Sequence, residues 1–386
     1  MLYRPDAFEP LTDEPWDENR VRAAIRQIAS DAEQAYDPDG LWPAHEWDAW
    51  QTPLPLKNLY CGAAGIVWAL DALRRRGHAE VELDLAEAAA RTLELWRAEP
   101  GLIEDLELPS KPESSLLCGE SGLLLVAWRL APSAELADAL LARIEDNAAN
   151  EANELLWGSP GTMLAARAMH AWTAEERWSD AWKKSADVLL ARREDDGIWT
   201  QQLYGNAWRF LGPGHGLVAN VHALLPEHDL REETAAVLAR EAVVEEGLAN
   251  WPALTGGELQ SQDGEIRVQW CHGAPGIVST AWDYLDEELL LAGAELTWRA
   301  RAHGAEKGVG ICHGTAGNGY ALLKTFARTG DELWLERARR FAVHSLAQAE
   351  STPGRYSLFT GDIGAALFAS SCLDADARFP ILDGWD

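Results

Sequence analysis

The tetrapeptide Gly-x-x-Gly recurs along this 386-residue chain in a way that calls for a repeated supersecondary unit. The exact copies are GAAG from Gly62 to Gly65, GESG from Gly119 to Gly122, GSPG from Gly158 to Gly161, GAPG from Gly273 to Gly276, GTAG from Gly314 to Gly317 and GDIG from Gly361 to Gly364. A degenerate seventh is GPGHG, from Gly212 to Gly216. Each copy leads into small and apolar residues, such as IVWALDAL, LLLVAWRL and LVANVHALL, whose spacing fits a helix better than strict alternation. Between the copies lie charged amphipathic stretches, among them ENRVRAAIRQIASDAEQAY, AELADALLARIEDNA and ELWLERARRFAVHSLAQAE, rich in strong helix formers and carrying one apolar face.

Seven outer helices alternating with seven inner ones predict an all-α fold, a closed double ring or α/α toroid, as a single domain over residues 1–386. At one domain per ~150 residues the length alone suggests two or three, but the repeat overrides that prior. An open superhelical solenoid is the alternative; it gives less reason for chemistry to gather at the inner-helix starts. Glycine suits those starts because it tolerates positive φ and close backbone approach. Helix N-termini crowded at one end of a ring would favour negative charge there.

Acidic residues outnumber basic ones 62 to 33, and a formal charge of −29 argues against nucleic acid as a partner. No apolar run approaches the ~18 residues of a membrane span. The acidic start MLYRPDAFEPLTDEPWDENR lacks the apolar core of a signal peptide, so a cytoplasmic protein is expected. Cys61, Cys118, Cys271, Cys312 and Cys372 are an odd, scattered set, which predicts reduced thiols. Segments rich in Pro, Gly, Asp and Trp, such as EDDGIWTQQLYGNAWRF and GLANWPALTGGELQSQDGEIRVQ, read as surface loops, the second with a short β-hairpin at its GG and DG turns.

Two of the repeat copies carry the tripeptide Cys-His-Gly: Cys271-His272-Gly273 and Cys312-His313-Gly314. They supply four candidate ligands of the thiolate and imidazole types that zinc prefers, and a site using three of them keeps a position open for substrate. Cys61 and Cys118 also directly precede a Gly-x-x-Gly, and there the expectation is a small packed residue.

Together the ordered repeats, WCHGAPG, KGVGICHGTAGNGYAL, the PGHG segment, ELLWGSPG and SLFTGDIG resemble the lanthionine synthetase C and LanC-like proteins over nearly the whole chain. The details look closer to the LanC-like branch than to the lantibiotic cyclases. The resemblance implies an α/α toroid with a central Zn2+ held by Cys271, Cys312 and His313, with His272 beside the metal. It implies Michael-type addition of a thiolate to dehydroalanine or dehydrobutyrine. His215 matches the family's active-site histidine, a residue type suited to proton transfer. Arg267 matches its arginine, and Glu154 falls where the cyclases carry Asp and would orient His215 or Arg267. Trp270 is expected to line the pocket, Lys307 matches a position associated with glutathione, and Arg355 lies near the family's basic residue after a one-residue gap.

That resemblance favours glutathione as thiol donor to a dehydrated peptide or protein. The alternative is a cyclase using a cysteine of the same dehydrated precursor peptide; either needs a separate dehydratase or kinase to make the substrate. Two readings of other classes are an α/α-toroid glycoside hydrolase, which would need paired carboxylates, and a non-catalytic zinc-binding module.

Overall fold

The structure is a computed structural model that describes residues 2–49, 52–103, 106–257 and 265–385. Fourteen α-helices among them alternate as the repeats predict. The outer helices are α1 (Glu18–Gln34), α3 (Leu85–Ala98), α5 (Ala134–Asn147), α7 (Glu176–Ala191), α9 (Arg231–Glu241), α11 (Glu287–Ala300) and α13 (Glu332–Ser351). The inner ones are α2 (Ala63–Arg75), α4 (Glu120–Leu130), α6 (Ser159–Thr173), α8 (Leu217–Leu224), α10 (Ala274–Thr280), α12 (Thr315–Thr329) and α14 (Asp362–Asp374).

Burial separates the two sets. Helix α1 buries one stripe, Val21, Ile25, Ala29 and Ala32, and turns charge outward. Helix α14 is buried on every side from Asp362 to Cys372. Each inner helix packs against the next, from α2 round to α14, and α14 returns to α2 and also meets α1. The ring is therefore closed, an α/α toroid rather than an open solenoid.

Different caps start the two sets. Asp17, Asp84, Ser133, Asp286 and Asp331 accept backbone N–H bonds at the starts of α1, α3, α5, α11 and α13. All seven inner helices are instead capped by a repeat glycine, with no side-chain cap. Gly273 alone among these caps has a positive φ, 100°, so unusual torsion does not explain the motif. Close approach does: a Cβ at Gly65 would stand 2.3 Å from the Leu59 carbonyl oxygen, and one at Gly276 only 1.8 Å from that of Trp270.

The loops before those caps are tied to one another across repeats. The Cys271 N–H donates to the Cys312 carbonyl (3.1 Å), Cys312 to Phe359 (2.8 Å), Phe359 to Tyr60 (3.1 Å) and Tyr60 to Leu117 (2.9 Å). Every residue of this belt lies two positions before a capping glycine, so one register around the ring fixes the backbone of the candidate site.

Two short hairpins depart from the expected loops. Strands β1 (Gln201–Leu203) and β2 (Asn206–Trp208) pair across Tyr204-Gly205, both at positive φ, within a segment read as irregular. Strands β3 (Val243–Glu245) and β4 (Leu248–Asn250) turn at Glu246-Gly247, again both at positive φ. That hairpin precedes the GG turn expected to make it, and Asp263-Gly264 lies outside the described residues. Positive φ at both central positions is what a tight two-residue hairpin turn needs.

Candidate metal centre and active site

The belt brings the Cys271 and Cys312 loops side by side, and the cap of α12 adds His313. Their ligand atoms all lie within 4.8 Å of one another, the cysteines buried and His313 half-buried. A tetrahedral zinc with Zn–S of ~2.3 Å and Zn–N of ~2.0 Å spaces its ligand atoms about 3.3–3.8 Å apart, so this donor set fits the metal with little adjustment. The neighbouring Cys312, with His272 and His313 close by, holds the Cys271 thiol well below the usual thiol range. A cation binding there would displace thiol protons.

Further groups fasten the cysteines. The Gln269 side-chain amide donates to Cys271 Sγ at 2.9 Å, and the Tyr60 phenol lies close enough to Cys312 to act on its thiol. From the opposite side, the glycines of GPGHG lie against the metal loop: a Cβ at Gly212 would stand 2.3 Å from the Cys271 carbonyl oxygen, and one at Gly214 would stand 2.8 Å from Cys271 Cβ.

His215 precedes the cap of α8 and is partly open, with 18% of its side chain exposed. Its Nδ1 meets Glu154 Oε2 at 2.9 Å. Glu154 is fully buried and also accepts the N–H groups of Leu156 (2.9 Å), Trp157 (2.6 Å) and Gly158 (3.2 Å). Of the two partners expected for Glu154, the structure places His215 against it. The His215 and His272 rings lie 5.9 Å apart, with Phe210 5.5 and 5.4 Å from them. His272 is buried, its Nδ1 has no hydrogen-bond partner among the described residues, and burial pushes its pKa down to about 4, so the ring is neutral near neutral pH. The half-buried Arg267 places its positive charge near that ring.

Three residues expected as substrate contacts have other surroundings in the structure. Trp270, expected in the pocket wall, is wholly buried and stacks on Phe379 (4.5 Å, 9°). Arg355 is committed to Asp48, which takes Arg355 Nε at 2.9 Å together with the Ser357 and Thr360 hydroxyls. This pairing makes Arg355 an anchor for the loop carrying Asp48. Lys307 is exposed on the turn Ala305–Lys307, where its charge acts on His303. Burial pushes the Cys61 thiol up to about 12 and Cys118 well above the ordinary thiol range, in keeping with packed residues. Tyr60, Gln269, Phe210 and Asp48 escaped the sequence reading, although Tyr60 stands in the first repeat where Cys271 and Cys312 stand in theirs.

A closed ring of paired helices with a thiol–imidazole triad at one mouth defines an α/α-toroid protein equipped for a soft metal. Residues 56–383 match the family described as lanthionine synthetase C-like protein, and the chain belongs to that family. It is 25% identical over 306 residues to the Danio rerio glutathione S-transferase LANCL1, covering 70% of this chain and 74% of that protein. It is 28% identical over 193 residues to the Arabidopsis thaliana LanC-like protein GCL1, covering 45% of this chain and 43% of the relative, so the match spans less than half of the plant protein. The fold is similar to that of nisin cyclase, with a TM-score of 0.56 at 16% identity over 92% of this chain and 94% of that one. No helix among the described residues is long and apolar enough to cross a membrane.

Proposed function

We propose that this protein joins a thiol to the double bond of a dehydroalanine or dehydrobutyrine residue, forming a thioether, with glutathione as the thiol donor. The observation that carries the proposal is the triad of Cys271, Cys312 and His313 beside a histidine backed by a buried carboxylate. Zinc held by three protein ligands would keep one position for the incoming thiol and lower its pKa enough to give the thiolate at neutral pH.

The remaining chemistry falls to the chain's own side chains. Glu154 on Nδ1 fixes the His215 tautomer and leaves Nε2 to take the proton that the thiol loses. The sulfur bonds to the β-carbon while the π electrons move to the carbonyl as an enolate. His215, as imidazolium stabilised by Glu154, then returns its proton to the α-carbon. Arg267 offers positive charge to the carbonyl oxygen as it becomes anionic. The site's Glu154 is turned to His215 rather than toward a second acid, which does not suit glycoside hydrolysis.

Glutathione is preferred to a peptide cysteine because the relative matched over most of its length is named a glutathione S-transferase. Purified protein is expected to hold about one equivalent of zinc, and Cys312→Ala to lose both the metal and thioether formation. Zinc-free wild-type protein, or a fully active Cys312→Ala variant, would remove the reading.

A further inference from the structure

The proposed reaction places an incoming thiol beside two cysteines that must not react themselves. When Cys271 and Cys312 hold a metal they are thiolates, and thiolates are nucleophiles toward the same electrophile. Charge-assisted hydrogen bonds would draw electron density from these sulfurs.

The donor at Cys271 is fixed in place. Gln269 is buried, its side-chain amide donates to Cys271 Sγ at 2.9 Å, and backbone bonds run both ways between Gln269 and His272.

We infer that Gln269 is a positioning residue that quenches the nucleophilicity of Cys271, so that the incoming thiol rather than this ligand is the sulfur that forms the thioether. The inference rests on the proposed function. It concerns the ligand residues' reactivity, which can be read without any turnover.

Zinc-loaded full-length protein, without thiol substrate, is exposed to iodoacetamide; a thiolate displaces iodide and gains a carbamidomethyl group. Peptide mass spectrometry gives the rate at each cysteine. Gln269→Leu is expected to speed modification of Cys271 about tenfold or more, the scale of one hydrogen bond to a charged group. Cys312 should stay within a factor of about two, additivity holding for separate partners. Gln269→Asn, which shortens the amide while keeping it polar, should behave like Gln269→Leu and guards against a poorly folded variant. Cobalt-substituted protein gives a second readout, with the sulfur-to-metal charge-transfer band expected to shift in each variant. Unchanged cysteine rates in variants holding one equivalent of zinc, or equal acceleration of both cysteines by either change, would overturn this inference alone. Absence of zinc from the wild type would overturn the reading beneath it and this inference together.

Discussion

His215 and Glu154 form the pair on which proton transfer rests, and their contributions can be separated. His215→Ala should keep the zinc and lose about 10²–10⁴ in rate, the usual scale of general acid–base catalysis. Normal turnover by that variant would reject the assignment. Glu154→Gln retains an acceptor for the backbone N–H groups and should lose less rate, whereas Glu154→Ala should also destabilise the fold because the Leu156 and Trp157 N–H groups lose their partner, while that of Gly158 keeps the Glu154 carbonyl. Thermal melts beside kinetics distinguish the two effects. Asp362 offers a pH test that changes no residue of the triad. Burial pushes its pKa up to about 7, so the folded chain keeps a proton that the unfolded chain releases near ~3.9. The resulting stability is present below pH ~4 and is lost as pH rises through about 7, by up to a few kcal/mol. Asp362→Asn, which retains an acceptor for the Gly354 N–H, should therefore melt like wild type at low pH and higher than wild type at pH 8. An equal shift at both pH values would contradict that burial argument.

The inner-helix starts show how local sequence builds the site. The repeat glycines were legible because each marks a helix start, and of the two reasons expected, positive φ and close backbone approach, the second accounts for the motif. Carbonyls of the preceding loop occupy the space of a side chain, and positive φ is needed among the caps only at Gly273. The same crowding makes Gly214 a support for the metal loop. Gly214→Ala would press its methyl on Cys271 Cβ, 2.8 Å away, and should weaken zinc binding by on the order of 10–100-fold without removing a ligand. Competition with a chelator reads this directly, and unchanged affinity would show that the loop yields. The two hairpins were less visible. Tyr204-Gly205 and Glu246-Gly247 are joined to strands of only three residues, too short for alternation to separate them from loop.

Across the whole ring, the features legible in sequence are those repeated in register. Seven starts predicted seven inner helices, and their neighbour packing closes the toroid. Cys271, Cys312 and His313 could be singled out because two repeat copies place a Cys-His pair, of zinc-ligand type, directly before the capping glycine. Contacts across distant loops had no such signal: Arg355 meets Asp48 from 307 residues away, and Tyr60 reaches Cys312 from the first repeat. Only closure of the ring brings them together, which is why Arg355 read as a substrate contact and Tyr60 went unnoticed. The closed ring also gathers the triad, His215 and Arg267 around one mouth, so the proposed chemistry belongs to the assembled molecule. Its most direct test is incubation of the zinc-loaded protein with glutathione and a dehydrobutyrine-containing peptide, followed by mass spectrometry. The proposed activity predicts a peptide heavier by one glutathione, formed only with the metal present and absent with Cys312→Ala. An unmodified peptide in the presence of bound zinc would contradict it.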